Sequence, residues 1–186
     1  MSVSPEHSGG SRFKQISADV EVASTAIVIV NEALIDQTID RARSAPKRRA
    51  RVLLHPNIDD ALHEMLIALP RESCDIPHIN FKSGKSFHVV RGEMAVMVFT
   101  PDGKQVTPFL MGDSASSWER MIRINQPCWH TIIPLSEYVV FIETIAGPFT
   151  GNRFALWAPT SIDHDAMMPF AVKLREIARR KCSGIV

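Results

Sequence analysis

The sequence lacks a large net charge, a long hydrophobic run and an even set of cysteines. Its 186 residues include 21 Lys and Arg against 20 Asp and Glu, a formal charge of +1, so no overall field favours nucleic acid or an anionic membrane. The apolar stretch 26–30 is far shorter than the ~20 residues of a membrane helix, and no basic leader precedes it. Cys74, Cys128 and Cys182 are odd in number and widely spaced, which argues against a disulfide framework or a zinc knuckle. We therefore expect a cytoplasmic protein with reduced thiols and with neither nucleic-acid nor membrane partners.

The composition and patterning predict one domain with additions at both ends. Hydrophobic residues make up 45% of the chain, which is enough for one well-buried core. Residues 1–19 are rich in Ser and Gly and have no apolar period, so we expect a flexible tail. Residues 20–51 are predicted to form a strand and a helix that pack on a β-barrel of residues 52–159, and residues 160–186 a C-terminal helix.

The predicted N-terminal strand and helix rest on local signals. The run AIVIV (26–30) suits a strand buried on both faces. Asn31 offers a helix cap, and apolar residues follow from Leu34 at helical spacing. The helix is expected to end around Ser44, because Pro46 disfavours helical geometry in the residue before it.

The terminal helix is predicted from a second helical pattern. Pro169 fits a first helical turn, and Phe170, Leu174 and Ile177 form one apolar stripe. A single apolar face predicts packing on the barrel or on a partner subunit rather than a membrane helix.

The central region contains short apolar runs separated by turn signals about every ten residues, a spacing typical of an antiparallel sandwich or barrel. The runs are RVLLH (51–55), MLIAL (65–69), SFHVV (86–90), MAVMVF (94–99), VTPFLM (106–111), MIRI (121–124), HTIIPL (130–135) and YVVFIETI (138–145). On a small barrel, residues that face inward from different strands meet in one cavity. His78 and His130, at strand edges about fifty residues apart, can therefore share a site. The spacing alone favours the other reading, in which each is a hydrogen-bonded structural histidine.

Two blocks of this region resemble the two motifs of a cupin: IPHINFKSGKSFHVVRGEMAVMVF and MIRINQPCWHTIIPL. The flanks SAPKRRARVLLHPNIDDALHEMLIALP and FIETIAGPFTGNRFALWAP are similar to those of WbuC-type cupins, which are encoded among bacterial cell-surface polysaccharide genes and elsewhere. The resemblance spans roughly residues 30–159. It implies an all-β double-stranded β-helix, or jelly-roll barrel, with flanking helices, a small-molecule ligand and a homodimer, but it specifies no reaction.

The resemblance also implies a metal site, which is altered in this chain. The cupin ligand positions fall on His78, Asn80, Lys85 and His130, so two of the four usual ligands are replaced. A protonated Lys85 about 4 Å from a divalent cation would repel it by roughly 8 kcal/mol at an effective dielectric of about 20. Lys85 could lose its proton, turn out of the cavity, or place its ammonium where the cation would be. No cofactor is established by the pattern, and the candidate is a divalent transition metal, Fe, Ni, Mn or Zn.

Two further histidines are weighed for the same cavity. His88 could be a third metal ligand, although strand alternation places it opposite Phe87 and Lys85 unless a bulge intervenes. His55 could reach the cavity or cap a strand end.

The remaining candidates are ligand-binding residues. Arg48 or Arg49 could hold a carboxylate or phosphate at the barrel mouth, because guanidinium forks match such anions, although this basic cluster also suits a solvated connector. Glu143 is expected to pair with a base. Trp129 offers a flat surface near the second motif, and Asn80 an amide.

Several functions remain open at this stage. The first is a small-molecule-binding cupin with a degraded metal site and an anionic or sugar-like ligand. The second is a metal-dependent isomerase or dioxygenase that acts on a sugar or small metabolite, and the third is a non-catalytic dimeric interaction protein. A metal-free enzyme with His130 as general base and Lys85 as acid or charge stabiliser lies between these.

Overall fold

The computed structural model describes residues 12–81, 84–159 and 164–182. We number the elements in chain order: β1 (Phe13–Ser17), β2 (Val20–Ala23), α1 (Glu32–Ser44), β3 (Ala50–Leu53), β4 (Leu62–Pro70), β5 (His78–Ile79), β6 (Lys85–Arg91), β7 (Glu93–Phe99), β8 (Val106–Gly112), β9 (Met121–Ile124), β10 (Trp129–Pro134), β11 (Tyr138–Ala146), β12 (Arg153–Phe154) and α2 (His164–Cys182). The eight apolar runs of the sequence correspond to β3, β4 and β6 to β11, as predicted.

The strands form two sheets. One has the order β1-β2-β3-β4-β11-β6-β9 and the other β12-β5-β10-β7-β8. Pairing is antiparallel except between β2 and β3. Buried side chains from both sheets, including Phe87 and Phe141 from the first and Met94 and Val96 from the second, form one cluster between them. The predicted all-β jelly-roll barrel with flanking helices is confirmed.

Helix α1 covers the outer face of the first sheet. The side chain of Asn31 accepts a hydrogen bond from the backbone N–H of Leu34 (3.0 Å), which caps the helix. Leu34 and Ile39 are buried against Val52 and other residues of the sheet. The helix ends at Ser44 because the next residue, before Pro46, is extended.

Helix α2 covers the second sheet, where Leu174 and Ala178 pack with Met97 and Ile133. Pro169 was expected in the first helical turn, but it lies inside the helix, which begins at His164. The helix starts earlier because Met167 is also buried, in a cluster beyond the apolar stripe. None of the described helices is long and apolar enough to cross a membrane.

The N-terminal predictions need correction. Residues 13–17, placed in a flexible tail, form β1, which pairs with β2; residues 1–11 of that tail lie outside the described residues. The run 26–30 is not a strand, and Ile27 and Ile29 are 66% and 58% exposed. The strand lies earlier, at Val20–Ala23, because those residues pair with β3. An apolar composition, as in residues 26–30, does not by itself provide hydrogen-bond partners for the backbone N–H and C=O groups.

Candidate functional site

Two oppositely charged side chains from the first sheet point into the barrel. Phe87 and Phe141 pack in the interior, and successive side chains of a strand alternate between its faces. Lys85, two residues before Phe87, and Glu143, two residues after Phe141, therefore share the inward face. The next inward residues of the same two strands, Val89 and Val139, are apolar and buried, so on these strands the charges lie toward the start of β6.

Two histidines from the second sheet meet them. His78 on β5 and His130 on β10 are register partners, with ring centroids 4.7 Å apart and ring planes tilted by 57°. The Nδ1–H of His78 donates to the carbonyl of Ile76 (3.1 Å), and that of His130 donates to the carbonyl of Cys128 (2.9 Å). With Nδ1 as the donor, each neutral ring keeps Nε2 as an acceptor.

The Lys85 ammonium lies among these acceptors. Its Nζ is 2.7 Å from Oε1 of Glu143 and 3.4 Å from Nε2 of His130. The two charged side chains are only 9% and 14% exposed. Of the alternatives left open by the sequence, the structure shows Lys85 inside the barrel with its Nζ at the acceptors, and Glu143 paired with this base.

The environment of this cluster shifts the pKa values of His130, His78 and Glu143. Burial, the charge of Lys85 and then His78 lower the pKa of His130 to about 3. Burial and the charge of Lys85 also lower the pKa of His78. Burial alone would raise the pKa of Glu143, but the charge and hydrogen bond of Lys85 and the charge of Arg51 bring it below its usual value. At neutral pH the cluster therefore holds neutral imidazoles and an ionised carboxylate.

Arg51 is a site residue that the sequence analysis did not single out. It lies opposite Ile67 in the β3–β4 register, and Ile67 packs in the interior, so both side chains share the inward face. Its Nε is buried and has no hydrogen-bond partner among the described residues. Burial and the charge of Arg49 lower its pKa. One feature of the sequence could have indicated its direction: Arg51 begins the apolar run 51–55 and stands two residues before Leu53, so strand alternation places both side chains on the same face.

The two predicted anion-binding arginines have different environments. Arg49 bridges Asp19 (3.5 Å) and Asp75 (3.0 Å) and lines a cavity of about 200 Å³ with Lys47, Leu69 and residues 72–76. Arg48 has a positive φ of 47° and donates from Nη1 to the carbonyl of Arg43 (3.1 Å) on an exposed surface. Its backbone turn directs Arg48 toward the end of α1, so its predicted role as an anion clamp is not supported.

Two other candidates lie away from the barrel interior. His88 is exposed, because it alternates with the inward Phe87, and its assignment as a metal ligand is corrected. Trp129 precedes the inward His130 and so points outward, where it packs against Trp157 with ring centroids 6.2 Å apart.

His55 belongs to a separate cluster. Its ring stacks on His63 with centroids 4.0 Å apart, and its Nδ1 lies 3.0 Å from the carbonyl oxygen of Glu64. Position 55 follows β3, beyond the inward-facing part of the strand, so His55 is not brought to the His78–His130 pair. Asn80 is buried directly after β5.

The residues present do not fit a divalent metal. Over residues 12–81, 84–159 and 164–182, no group of three or more His, Cys, Asp or Glu side chains is placed to hold one. His78 and His130 could supply two imidazole ligands, but the Lys85 ammonium lies beside the nitrogen of His130 and the carboxylate of Glu143. A cation at these atoms would face the repulsion of a neighbouring positive charge.

Residues 30–111 match the model of a domain of unknown function, DUF6016. No curated protein sequence matches the chain.

Several solved structures match the chain at low sequence identity. An oxalate oxidase in complex with the substrate analogue glycolate is 14% identical, with 73% of this chain and 74% of that chain covered and a TM-score of 0.48. Procruciferin, an 11S globulin from Brassica napus, is 17% identical over 50% of this chain and 22% of that chain, with a TM-score of 0.42. An oxalate decarboxylase from Bacillus subtilis, described with Mn(II) centers, is 14% identical over 51% of this chain and 24% of that chain, with a TM-score of 0.42. By its own two facing sheets and their strand order, the chain is a jelly-roll barrel, or double-stranded β-helix.

Proposed function

We propose that this chain binds a small carboxylate-bearing molecule, such as a sugar acid, in its barrel without a metal, and that Arg51 anchors the carboxylate. The proposal includes the kinship with WbuC-type cupins, which rests on the sequence blocks given above. A homodimer and a cytoplasmic location remain predictions from the sequence.

One observation carries the proposal: the buried Nε of Arg51 has no acceptor in the described part of the chain. Three carboxylates, those of Asp75, Glu143 and Asp19, favour its charge. Each of the three is bonded to another base, because Arg49 holds both aspartates and Lys85 holds Glu143. A buried donor without an acceptor is costly, and a ligand carboxylate would satisfy it.

The charges near Arg51 support a small anionic ligand. Arg49 and Asp75, whose charges act on Arg51, line a cavity of about 200 Å³, although Arg51 itself is not part of that lining. A planar guanidinium can hold a carboxylate through two parallel hydrogen bonds. An uncharged sugar has no carboxylate to match the two donors of the guanidinium.

The proposal is one of binding rather than of proton transfer. His130 and Lys85 were candidates for a general base and acid, and an efficient base has a pKa near the working pH. The pKa of His130 is about 3, so its ring is a weak proton acceptor at neutral pH.

The test compares glucuronate with glucose, which differ in one carboxylate, by isothermal titration calorimetry of metal-free protein. We expect glucuronate to bind and glucose to bind far more weakly. Arg51→Gln should weaken glucuronate by about 10- to 150-fold, since a hydrogen bond to a charged group contributes about 1.5–3 kcal/mol. The affinity of Arg51→Lys for glucuronate should lie between those of wild type and Arg51→Gln, because lysine keeps the positive charge but lacks the paired N–H donors of the guanidinium.

Arg43→Gln is the matched control, because Arg43 is exposed on α1 and bonds Tyr138 and Asp40. It should leave binding unchanged. Equal affinity for glucose and glucuronate, or undiminished binding by Arg51→Gln, would contradict the proposal.

A further inference from the structure

The interior cluster has the acceptors of a cation site, and the ammonium of Lys85 lies at them. Oε1 of Glu143 and Nε2 of His130 lie 2.7 and 3.4 Å from one positively charged atom, the Nζ of Lys85. The ring of His78 lies next to that of His130, and burial and the charge of Lys85 lower the pKa of His78.

Backbone hydrogen bonds fix the tautomer of both imidazoles. The Nδ1–H of each donates to a carbonyl of its own chain two residues earlier, Ile76 for His78 and Cys128 for His130. This fixes the tautomer and leaves Nε2 as the acceptor, the arrangement that second-shell hydrogen bonds impose on metal-bound histidines.

We infer that the Lys85 ammonium is the permanent cation of this site, in the place where the resemblance to cupins implies a divalent metal. The ammonium neutralises Glu143 and donates to His130, so the native chain takes up no divalent metal at these residues. Removal of the ammonium exposes a site with two imidazoles and one carboxylate, a ligand set that suits transition metals.

The exposed set consists of three residues on three strands of the barrel: His78 on β5, His130 on β10 and Glu143 on β11. Among the described residues, these three side chains are not placed as a group that could hold a metal ion. Small shifts of the Glu143 side chain toward the vacated position would complete the set, because both ring orientations are already fixed by the backbone.

The experiment titrates Co(II) into protein purified without an affinity tag and follows the visible absorption of bound Co(II) and its stoichiometry. Wild type should show no site that depends on His78. Lys85→Ala should bind one Co(II) per chain at least about tenfold more tightly than wild type, because the repelling charge is gone. His78→Ala added to Lys85→Ala should abolish that binding.

Lys104→Ala is the matched control, because Lys104 is exposed and bonds only weakly to Asp102 at 3.4 Å. It should behave as wild type does. One Co(II) per wild-type chain, lost in His78→Ala, would overturn the inference. So would the absence of binding in folded Lys85→Ala and Lys85→Glu.

A measurement on wild type covers the case in which these variants do not fold. Nitrogen-15 NMR of the histidine rings should show Nδ1 of His130 protonated and Nε2 unprotonated at neutral pH. A protonated Nε2 could not accept from the ammonium and would overturn the inference. This outcome is independent of the anion proposed for Arg51, which is measured with Arg51 variants in metal-free protein.

Discussion

Lys85 and Glu143 form an ion pair across adjacent strands inside the barrel, with Nζ and Oε1 2.7 Å apart. Strand β6 supplies the base and β11 the acid. A buried pair of this kind contributes little relative to a well-packed apolar pair, but the loss of one partner leaves the other charge without compensation. The pair is therefore more sensitive to single than to double substitution.

Glu143→Gln should lower the free energy of unfolding by about 3–5 kcal/mol, because it leaves the Lys85 ammonium buried without a counter-charge. Urea unfolding measures the change. Glu137→Gln is the control, since Glu137 is exposed and 3.9 Å from Arg43, and it should change stability by less than about 1 kcal/mol. The double variant Lys85→Met, Glu143→Leu should be more stable than Glu143→Gln, and a double variant less stable than the single one would contradict this account.

Stability should fall as the pH is lowered from neutrality, because His130 resists protonation in the folded chain. Its pKa is about 3, against 6.5 as its ordinary value. The unfolded chain therefore binds an extra proton between these values, so this stabilisation is complete above pH 6.5 and is lost as the pH falls toward 3. The slope from one such group is at most about 1.4 kcal/mol per pH unit.

Urea unfolding of wild type and His130→Asn between about pH 4.5 and 7, above the range where most carboxylates titrate, isolates this histidine contribution. We expect a shallower slope in His130→Asn. His88→Asn should keep the wild-type slope, because His88 is exposed on the outer face. An unchanged slope in His130→Asn would show that the ring titrates normally.

The three thiols should differ in reactivity. Burial and the charge of Asp75 raise the pKa of Cys74 to about 12, burial also raises the pKa of Cys128, and Cys182 is exposed near the end of α2. Since the thiolate is the reactive form, iodoacetamide at mildly alkaline pH should modify Cys182 first and Cys74 last. Peptide mass spectrometry over time gives the order, and early alkylation of Cys74 in folded protein would contradict its burial.

Gly92 should not tolerate a side chain. It has a φ of +82° between β6 and β7, and an added Cβ would overlap the carbonyl oxygen of Tyr138. Gly92→Ala should therefore cost at least about 2 kcal/mol of unfolding free energy more than Gly151→Ala. Gly151 is the control, because it also has a positive φ but open space surrounds it. If thermal or urea unfolding showed the same loss of stability for both variants, the overlap with Tyr138 at position 92 would have been relieved by a shift of the chain.

The barrel strands could be predicted from the sequence because their signal is local. Short apolar runs and regularly spaced turn residues mark where strands begin and end. The N-terminal part was harder, because β1 and β2 depend on a pairing with β3 that no local pattern specifies. The run 26–30 has strand composition and lies beyond any strand partner.

The candidate site was predictable where strand alternation and the motif positions agree. Lys85 and His130 both face inward, and His88 faces outward as its alternation with Phe87 indicates. Arg51 could not be predicted as a site residue, because it belongs to a basic cluster, residues 47–51, whose composition is typical of a solvent-exposed loop. Its inward direction becomes evident only from its register with Ile67.

The hydrogen bonds that hold His78 and His130 in place come from their own backbone, from Ile76 and Cys128, and not from whatever occupies the centre. The two rings therefore keep their orientation when the central group is exchanged. As a result, substitution of residue 85 alone, a change of one codon, would be enough in evolution to exchange the lysine ammonium for a bound metal ion. The rest of the barrel would not have to change.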